Sequence, residues 1–329
     1  KLPREVVAVK KRFAVFLLVA LLLAPRAAAA EEDYIHWVEF KVGYPALSEA
    51  LAIDIASHET EQPLSWIDIL ALAAVRTGDS QVSVRAVKSA AKELLGKNAP
   101  EKFLGKQYKY FAYYQKAFGA ALGGLVGSYA IEIPGKDGVS EWSAADGLKA
   151  FSPIAAGYGY GHYPDFGQRR TFGFSRPHLG NDLMGALGTP IIAVEGGTVE
   201  ALGWNKYGGW RIGIRSDDRL RYYYYAHLQK DHPYADGLAE GQHVAAGEVI
   251  GFMGRTGYST RENVNNIDAV HLHFGIELVF DESQKESDHE IWIDPYAIVQ
   301  LLSTHRSSVR YNAATGRWER IYPYRDLDT

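Results

Sequence analysis

Val270-His271-Leu272-His273-Phe274-Gly275-Ile276 is the stretch on which the fold is decided. Apolar and β-branched residues dominate it and no helical period fits, so it reads as a β-strand. Side chains two apart on a strand point to the same face. His271 and His273 therefore project together, while Leu272 and Phe274 face the other way. Two imidazoles above a greasy underside suit a chemical site. The plain alternative is a pair of surface histidines.

Upstream, Arg176-Pro177-His178-Leu179-Gly180-Asn181-Asp182 sets His178 and Asp182 four apart. Pro177 and Gly180 argue against a helix there. On an extended segment the even spacing still gives both residues one face. Gly180 lies between them, and its missing side chain is expected to leave room for an ion. Tyr224-Tyr225-Ala226-His227-Leu228 is a further strand-like run ending in a histidine, with Tyr223 and Tyr225 on the face of His227 and expected either to line a groove or to pack in the core. Three segments thus offer four histidines and one carboxylate. Such donors suit zinc, and a catalytic zinc keeps three protein ligands and one open position. Spacing alone leaves open which histidine of the His271/His273 pair meets the metal.

His178-Leu-Gly-Asn-Asp182, then Ala226-His227, then His271-Leu-His273-Phe resembles the motif set of the LytM-type zinc metallopeptidases, family M23, which are bacterial cell-wall endopeptidases. Gly188-Thr-Pro-Ile-Ile-Ala-Val-Glu-Gly-Gly-Thr-Val199 and Gly247-Glu-Val-Ile-Gly-Phe-Met-Gly-Arg-Thr-Gly257 agree with it. The resemblance implies a mainly antiparallel β catalytic domain, a LytM/lipoyl-like duplicated hybrid barrel or sheet with an open groove. It implies one zinc ion held by His178, Asp182 and His273, with His227 and His271 as catalytic histidines. The implied substrate is a peptide of peptidoglycan. One departure stands out: Tyr258 to Ala269 intervenes between the glycine turn and the His-x-His strand, where the family has only a few residues. Its Asn263, Asn265 and Asn266 are expected to form a polar loop that shapes substrate choice.

The chemistry expected of such a site is hydrolysis. Zinc makes water acidic enough to react near neutral pH and polarises a carbonyl. No glutamate stands beside the ligand motif, as it does in His-Glu-x-x-His enzymes. A histidine must take the proton, and an ordinary imidazole pKa of about 6.5 suits that task. His227 and His271 are the candidates, with their division of labour left open. The rival readings are a binding or scaffold protein of the same fold and a zinc peptidase acting on a protein.

Length and composition frame this reading. A chain of 329 residues suggests about two domains of roughly 150 residues. Cysteine is absent, which excludes disulfides and thiolate metal sites. Residues 1–30 read as a secretory signal peptide: Lys10-Lys11-Arg12, an apolar run from Phe13 to Leu23, then Ala28-Ala29-Ala30. An uncleaved membrane anchor is the alternative, and Val9 is a candidate initiator position. Those residues hold six basic groups against one acid, so removing them takes the net charge from −4 to −9. An acidic chain offers no electrostatic footprint for nucleic acid. An extracytoplasmic, cell-envelope location is expected.

Residues 31–130 read as a small all-α domain. Leu47, Leu51 and Ile55 form an apolar face, Ser65 and Ser83 are helix starts, Gly78 and Gly96 are stops, and a longer helix is expected from about Pro100 past Phe118. Tyr108, Tyr110, Tyr113 and Tyr114 read as a packing face rather than a sugar-stacking surface, and Glu59, Glu61 and Asp68 as solvated acids. Residues 131–164 read as a linker, 165–302 as the zinc domain and 303–329 as a tail with a small hairpin at Thr315-Gly316. His162 is read as a surface histidine that could reach the groove. Thr189 to Val199 reads as a hairpin.

Overall fold

Serine caps and glycine stops shape the front of the chain. Helix α1 (Tyr44–Ser57) is followed by α2 (Trp66–Thr77), α3 (Val84–Leu94) and α4 (Phe111–Leu122). Ser65 accepts from the Ile67 N–H and Ser83 from the Ala86 N–H, which satisfies donors left over at each N-terminus. Gly78 ends α2 with a φ of 64°, a left-handed value that favours glycine. The start expected at about Pro100 lies outside the described residues; within them α4 covers Phe111–Leu122, past Phe118 as expected. Leu47, Ile69, Leu70, Leu72, Phe111 and Phe118 bury their side chains between these helices. Tyr114 packs on Phe118 and Tyr113 donates its hydroxyl to the Trp37 carbonyl.

The computed structural model describes residues 34–78, 80–95, 105–135 and 139–328. The expected signal segment and the Gly96 stop lie outside these. No helix among the described residues is long and apolar enough to cross a membrane. His36–Thr329 forms one contact unit.

The segment read as a linker carries regular structure. Strands β1 (Val126–Pro134) and β2 (Ser140–Leu148) pair as a hairpin, and the tail strand β17 (Tyr324–Asp326) adds to β1. Strand β3 (Gly161–His162) then leads to a small hairpin of β4 (Arg169–Arg170) and β5 (Arg176–Pro177).

The main sheet uses β6 (Asn181–Met184), β8 (Gly197–Asn205), β9 (Gly209–Ser216), β10 (Arg221–Ala226), β11 (His243–Val244) and β13 (His271–Leu278). Its order is β11-β8-β9-β10-β13-β6-β3, with β14 (Ile291–Ile293) also pairing with β13. Every ladder among the described residues is antiparallel. Alternation gives the sheet two faces. Ile212, Ile214, Tyr223, Tyr225, Leu272, Phe274 and Ile276 bury the core face. His271 and His273 lie on the other.

Thr189 to Val199 is not a hairpin. β7 (Pro190–Ile192) pairs with β12 (Val249–Phe252) in a separate sheet, whereas β8 pairs with β9 and β11. Gly196-Gly197 serves close approach: a Cβ on Gly197 would collide with the Arg215 carbonyl on β9. Helix α5 (Tyr296–Leu302) and the hairpin β15 (Val309–Asn312) and β16 (Arg317–Arg320) complete the chain. The tail hairpin packs beside β12, with Trp318 near Phe252 and Arg320 donating to the Ala246 carbonyl.

A buried ionic knot joins the helices to the sheet. Arg221 on β10 is fully buried and donates to both Glu195 oxygens at 2.9 Å, to Asp218 at 2.6 Å and to the Ala120 carbonyl at 2.6 Å. Removing one partner of a buried pair leaves an uncompensated charge. Glu195→Ala is expected to lower unfolding free energy by about 3 kcal/mol, the low end for such a loss because Asp218 still faces the guanidinium. Urea denaturation measures it, and an unchanged midpoint would contradict the knot's role.

Candidate metal centre

Register builds the site. On the open face of the sheet, His273 stands directly opposite Asp182 on β6 and opposite Ala226 on β10, and His271 stands opposite Met184. His178 lies just before β6, its backbone tied to Gln168 and Gly167. The result is a convergence of donors. His178 Nε2 is 2.7 Å from His273 Nδ1 and 3.1 Å from Asp182 Oδ1, and His273 Nδ1 is 3.5 Å from that same oxygen. One ligand atom from each of the three residues lies within 4.8 Å of the others.

Asp182 Oδ1 is buried with no hydrogen-bond partner. Such an orphan is costly unless something completes it. Two imidazoles and a carboxylate closing on it form a donor set that fits zinc. The electrostatics agree. Burial opposes ionisation of Asp182, but the His178 and His273 rings beside it hold its carboxyl well below the usual range. Burial also works against a charged His178, yet Asp165 and Asp182 outweigh it and push the ring up to about 9. The pocket thus holds a positive charge strongly, and a cation competes for the place of that proton. His273 is pulled down by burial.

Residues that sequence reasoning missed orient this cluster. Asp165 accepts from His178 Nδ1 through its backbone carbonyl at 3.1 Å, which turns Nε2 inward. Arg170 Nη2 lies 2.7 Å from Asp165 Oδ2 and 2.9 Å from Asp182 Oδ2. Nothing in their local spacing marks Asp165 and Arg170, because the β4–β5 hairpin brings them in. Gly180 has a different role from the one expected. A Cβ there would lie 2.5 Å from the Phe274 carbonyl and 2.8 Å from His273 Cε1, so its space accommodates the strand and the ring, not an ion.

His227 and His271 sit beside the cluster, their rings 4.7 Å apart between centroids. His227 Nδ1 lies 2.9 Å from the Thr256 carbonyl and His271 Nδ1 3.0 Å from the Ala269 carbonyl. A carbonyl only accepts, so each Nδ1 carries a proton, and in the neutral ring Nε2 is then the atom with the lone pair. His271 Nε2 is 3.6 Å from Asp182 Oδ1. Burial holds His227 below the ordinary imidazole range. His227 is also left-handed, with φ of 63°, which is uncommon for a histidine.

That backbone corrects the tyrosine reading. His227 follows the end of β10, so alternation no longer links its face to Tyr223 and Tyr225, which are buried in the core. Tyr224 faces the groove instead, edge-on to His273 at 5.7 Å. His162 lies elsewhere, its ring tilted against Tyr296 at 4.4 Å between centroids and 3.3 Å from Asn181 Oδ1.

The groove is a cavity of about 470 Å³ walled by Arg176, Leu179, Tyr207, Tyr224, Tyr258 and Trp292. The inserted loop is pinned to its rim: Asn263 accepts from Trp210 Nε1 at 2.9 Å and donates to Asp231, and Asn266 donates to the Tyr258 carbonyl. It presents Tyr258, which stacks on Phe172 from the β4–β5 hairpin at 4.8 Å.

Fold and site together define a candidate metal centre on an antiparallel sheet. Residues 176–287 match the profile of peptidase family M23. The L-Ala–D-Glu endopeptidase of Bacillus subtilis (strain 168) is 38% identical over 145 residues, covering 44% of this chain and 40% of that protein. Lysostaphin of Staphylococcus staphylolyticus is 38% identical over 120 residues, covering 36% and 21%. The chain thus spans less than half the length of these relatives. A crystal structure from Ruminococcus gnavus ATCC 29149, a candidate glycyl-glycine endopeptidase lytM, covers 83% of this chain and 92% of its own at a TM-score of 0.55 and 21% identity, which shows the shared fold.

Gly180→Ala is expected to weaken zinc binding by about 10–100-fold, the range for disturbing a group that orients a metal ligand. Competition against a chromophoric chelator reads it, and wild-type affinity would show that His273 does not depend on this space.

Proposed function

We propose that the chain is an exported zinc metalloendopeptidase that hydrolyses peptide bonds in peptidoglycan stem peptides or cross-links. The observation that carries this reading is the orphaned Asp182 Oδ1 met by His178 Nε2 and His273 Nδ1, with two further histidines facing the same groove. His178, Asp182 and His273 would hold the zinc. The metal supplies Lewis acidity, towards both water and a peptide carbonyl.

The chain's own residues do the rest. With Nδ1 committed to backbone carbonyls, His227 and His271 present Nε2 to the groove. Either Nε2 can take a proton from water as attack begins. The protonated ring then donates to the developing oxyanion or to the departing amine. His227 sheds a proton readily, because its burial disfavours the charged form. The groove, lined by Tyr207, Tyr224, Tyr258 and Trp292, would take an extended peptide. The relatives named for L-Ala–D-Glu and glycyl-glycine bonds supply the two bonds to test. The N-terminal segment of residues 1–30 supports export and an envelope location.

Zinc content and digestion of purified sacculi, with product masses, test the proposal on the full chain. His271→Ala should keep zinc and lose about 10²–10⁴-fold in turnover, the usual worth of general acid–base help. His273→Ala should lose stoichiometric zinc. Full activity in the first variant would refute the catalytic assignment, and full zinc in the second the ligand assignment. Bound zinc without sacculus products would favour a scaffold or a protein substrate.

A further inference from the structure

The groove contains a second recognition element, centred on Arg176. Its guanidinium carbon lies 4.2 Å from the centroid of the Tyr207 ring and 5.7 Å from that of Tyr258, and its Nη1 donates to the Phe172 carbonyl at 2.9 Å. It stands directly across the β4–β5 hairpin from Arg170. Like charges in that position repel each other. Arg170 is compensated by Asp165 and Asp182. Arg176 is not: among the described residues no carboxylate lies within ion-pair distance of it. Other arginines of this acidic chain do find acids, as Arg76, Arg215, Arg219 and Arg221 show. A stacked guanidinium is held as a preorganised planar fork, and a fork with free donors matches a carboxylate. Glu290, held by Trp292 Nε1 at 2.7 Å, lines the same cavity and repels an anion from its own part of the wall.

We infer that Arg176 is a specificity-determining residue that binds a free carboxylate of the peptide lying in the groove, so that the substrate is an acidic peptide rather than a glycine bridge. The inference rests on the proposed peptidase reading and narrows it. A glutamyl residue uses only one of its two carboxyls to continue a peptide chain, so an Ala–Glu substrate carries the required group. A glycyl-glycine bridge has none along its length.

The test separates binding from cleavage. D-Glu–L-Lys peptides lack an Ala–Glu bond and so are not turned over at it. Two are compared, with the carboxyl outside the chain free or amidated. Calorimetry is run on the zinc-loaded full chain and on Arg176→Gln. The wild type should bind the free acid about 10–100-fold more tightly, as expected for a hydrogen bond to a charged group, and Arg176→Gln should bind the two alike. Arg176→Lys, which keeps the charge and loses the fork, should fall between them. Equal affinities in the wild type, undiminished preference in Arg176→Gln, or no binding of either peptide at millimolar concentration would overturn the inference. Cleavage of L-Ala–D-Glu–L-Lys and pentaglycine peptides is scored alongside: failure to cut either counts against the peptidase reading, whereas a preference for pentaglycine counts against Arg176.

Discussion

Asp182 faces His273 across one ladder, and Ala226 faces His273 across the next. Side chains on a strand alternate with a period of two, so a slip of one residue in the β6–β13 ladder would send Asp182 into the core and leave His273 without it. Much else in the domain holds that register. Leu183 against Leu272, and Tyr225 and Tyr223 against Phe274 and Ile276, fill the opposite face with apolar bulk. Turning them outward would expose several large side chains at once, each at a cost of about 1.5–3 kcal/mol. The placement of the polar site is thus secured by the apolar face beneath it.

The same strand ties the helical half to the site. Arg221 begins β10, and the chain leaving β10 carries His227. A fully buried guanidinium is tolerated only when its donors are met. Here Glu195 and Asp218 supply charge, and the Gly119 and Ala120 carbonyls come from the last turn of α4. A helix C-terminus presents unpaired carbonyls and partial negative charge, so it is a natural partner for a cation. Tyr223 also donates to Glu195 at 2.5 Å. The helices therefore satisfy a charge that the main sheet would otherwise bury alone, which gives them a structural part in the fold.

Spacing of two and four on extended segments makes the shared faces legible, while the meeting of the three segments is what the motif resemblance implies. Helix starts at Ser65 and Ser83 were readable for an equally local reason: a hydroxyl reaches its own helix. Features that depend on distant contacts were not. Asp165 and Arg170 gain their partners only when the β4–β5 hairpin folds against β6. Gly180 marks space in the sequence, but the Phe274 carbonyl and the His273 ring take it rather than the expected ion. Gly196-Gly197 resembled a turn, yet its purpose is backbone contact with β9. Turn chemistry at Pro134-Gly135 gives the segment the look of a linker, and β2 is too exposed to stand out as a strand beside it.

His227 reaches the groove by other means than alternation. Continued extended backbone from β10 would put it on the face of Tyr223 and Tyr225, in the core. A left-handed residue at that point reverses the outcome, at a cost of about 1–2 kcal/mol for a non-glycine side chain. The surroundings hold it there: its N–H donates to Gly208 at 2.7 Å, its carbonyl accepts from Gly254 at 3.0 Å, and its ring is anchored to Thr256. Neighbouring backbone is fitted closely to this turn, since a Cβ on Gly257 would lie 3.1 Å from His227 Nδ1. Strain sustained by so many contacts, and spent on turning one imidazole from the core towards Asp182, His271 and His273, is best understood as part of the site's construction.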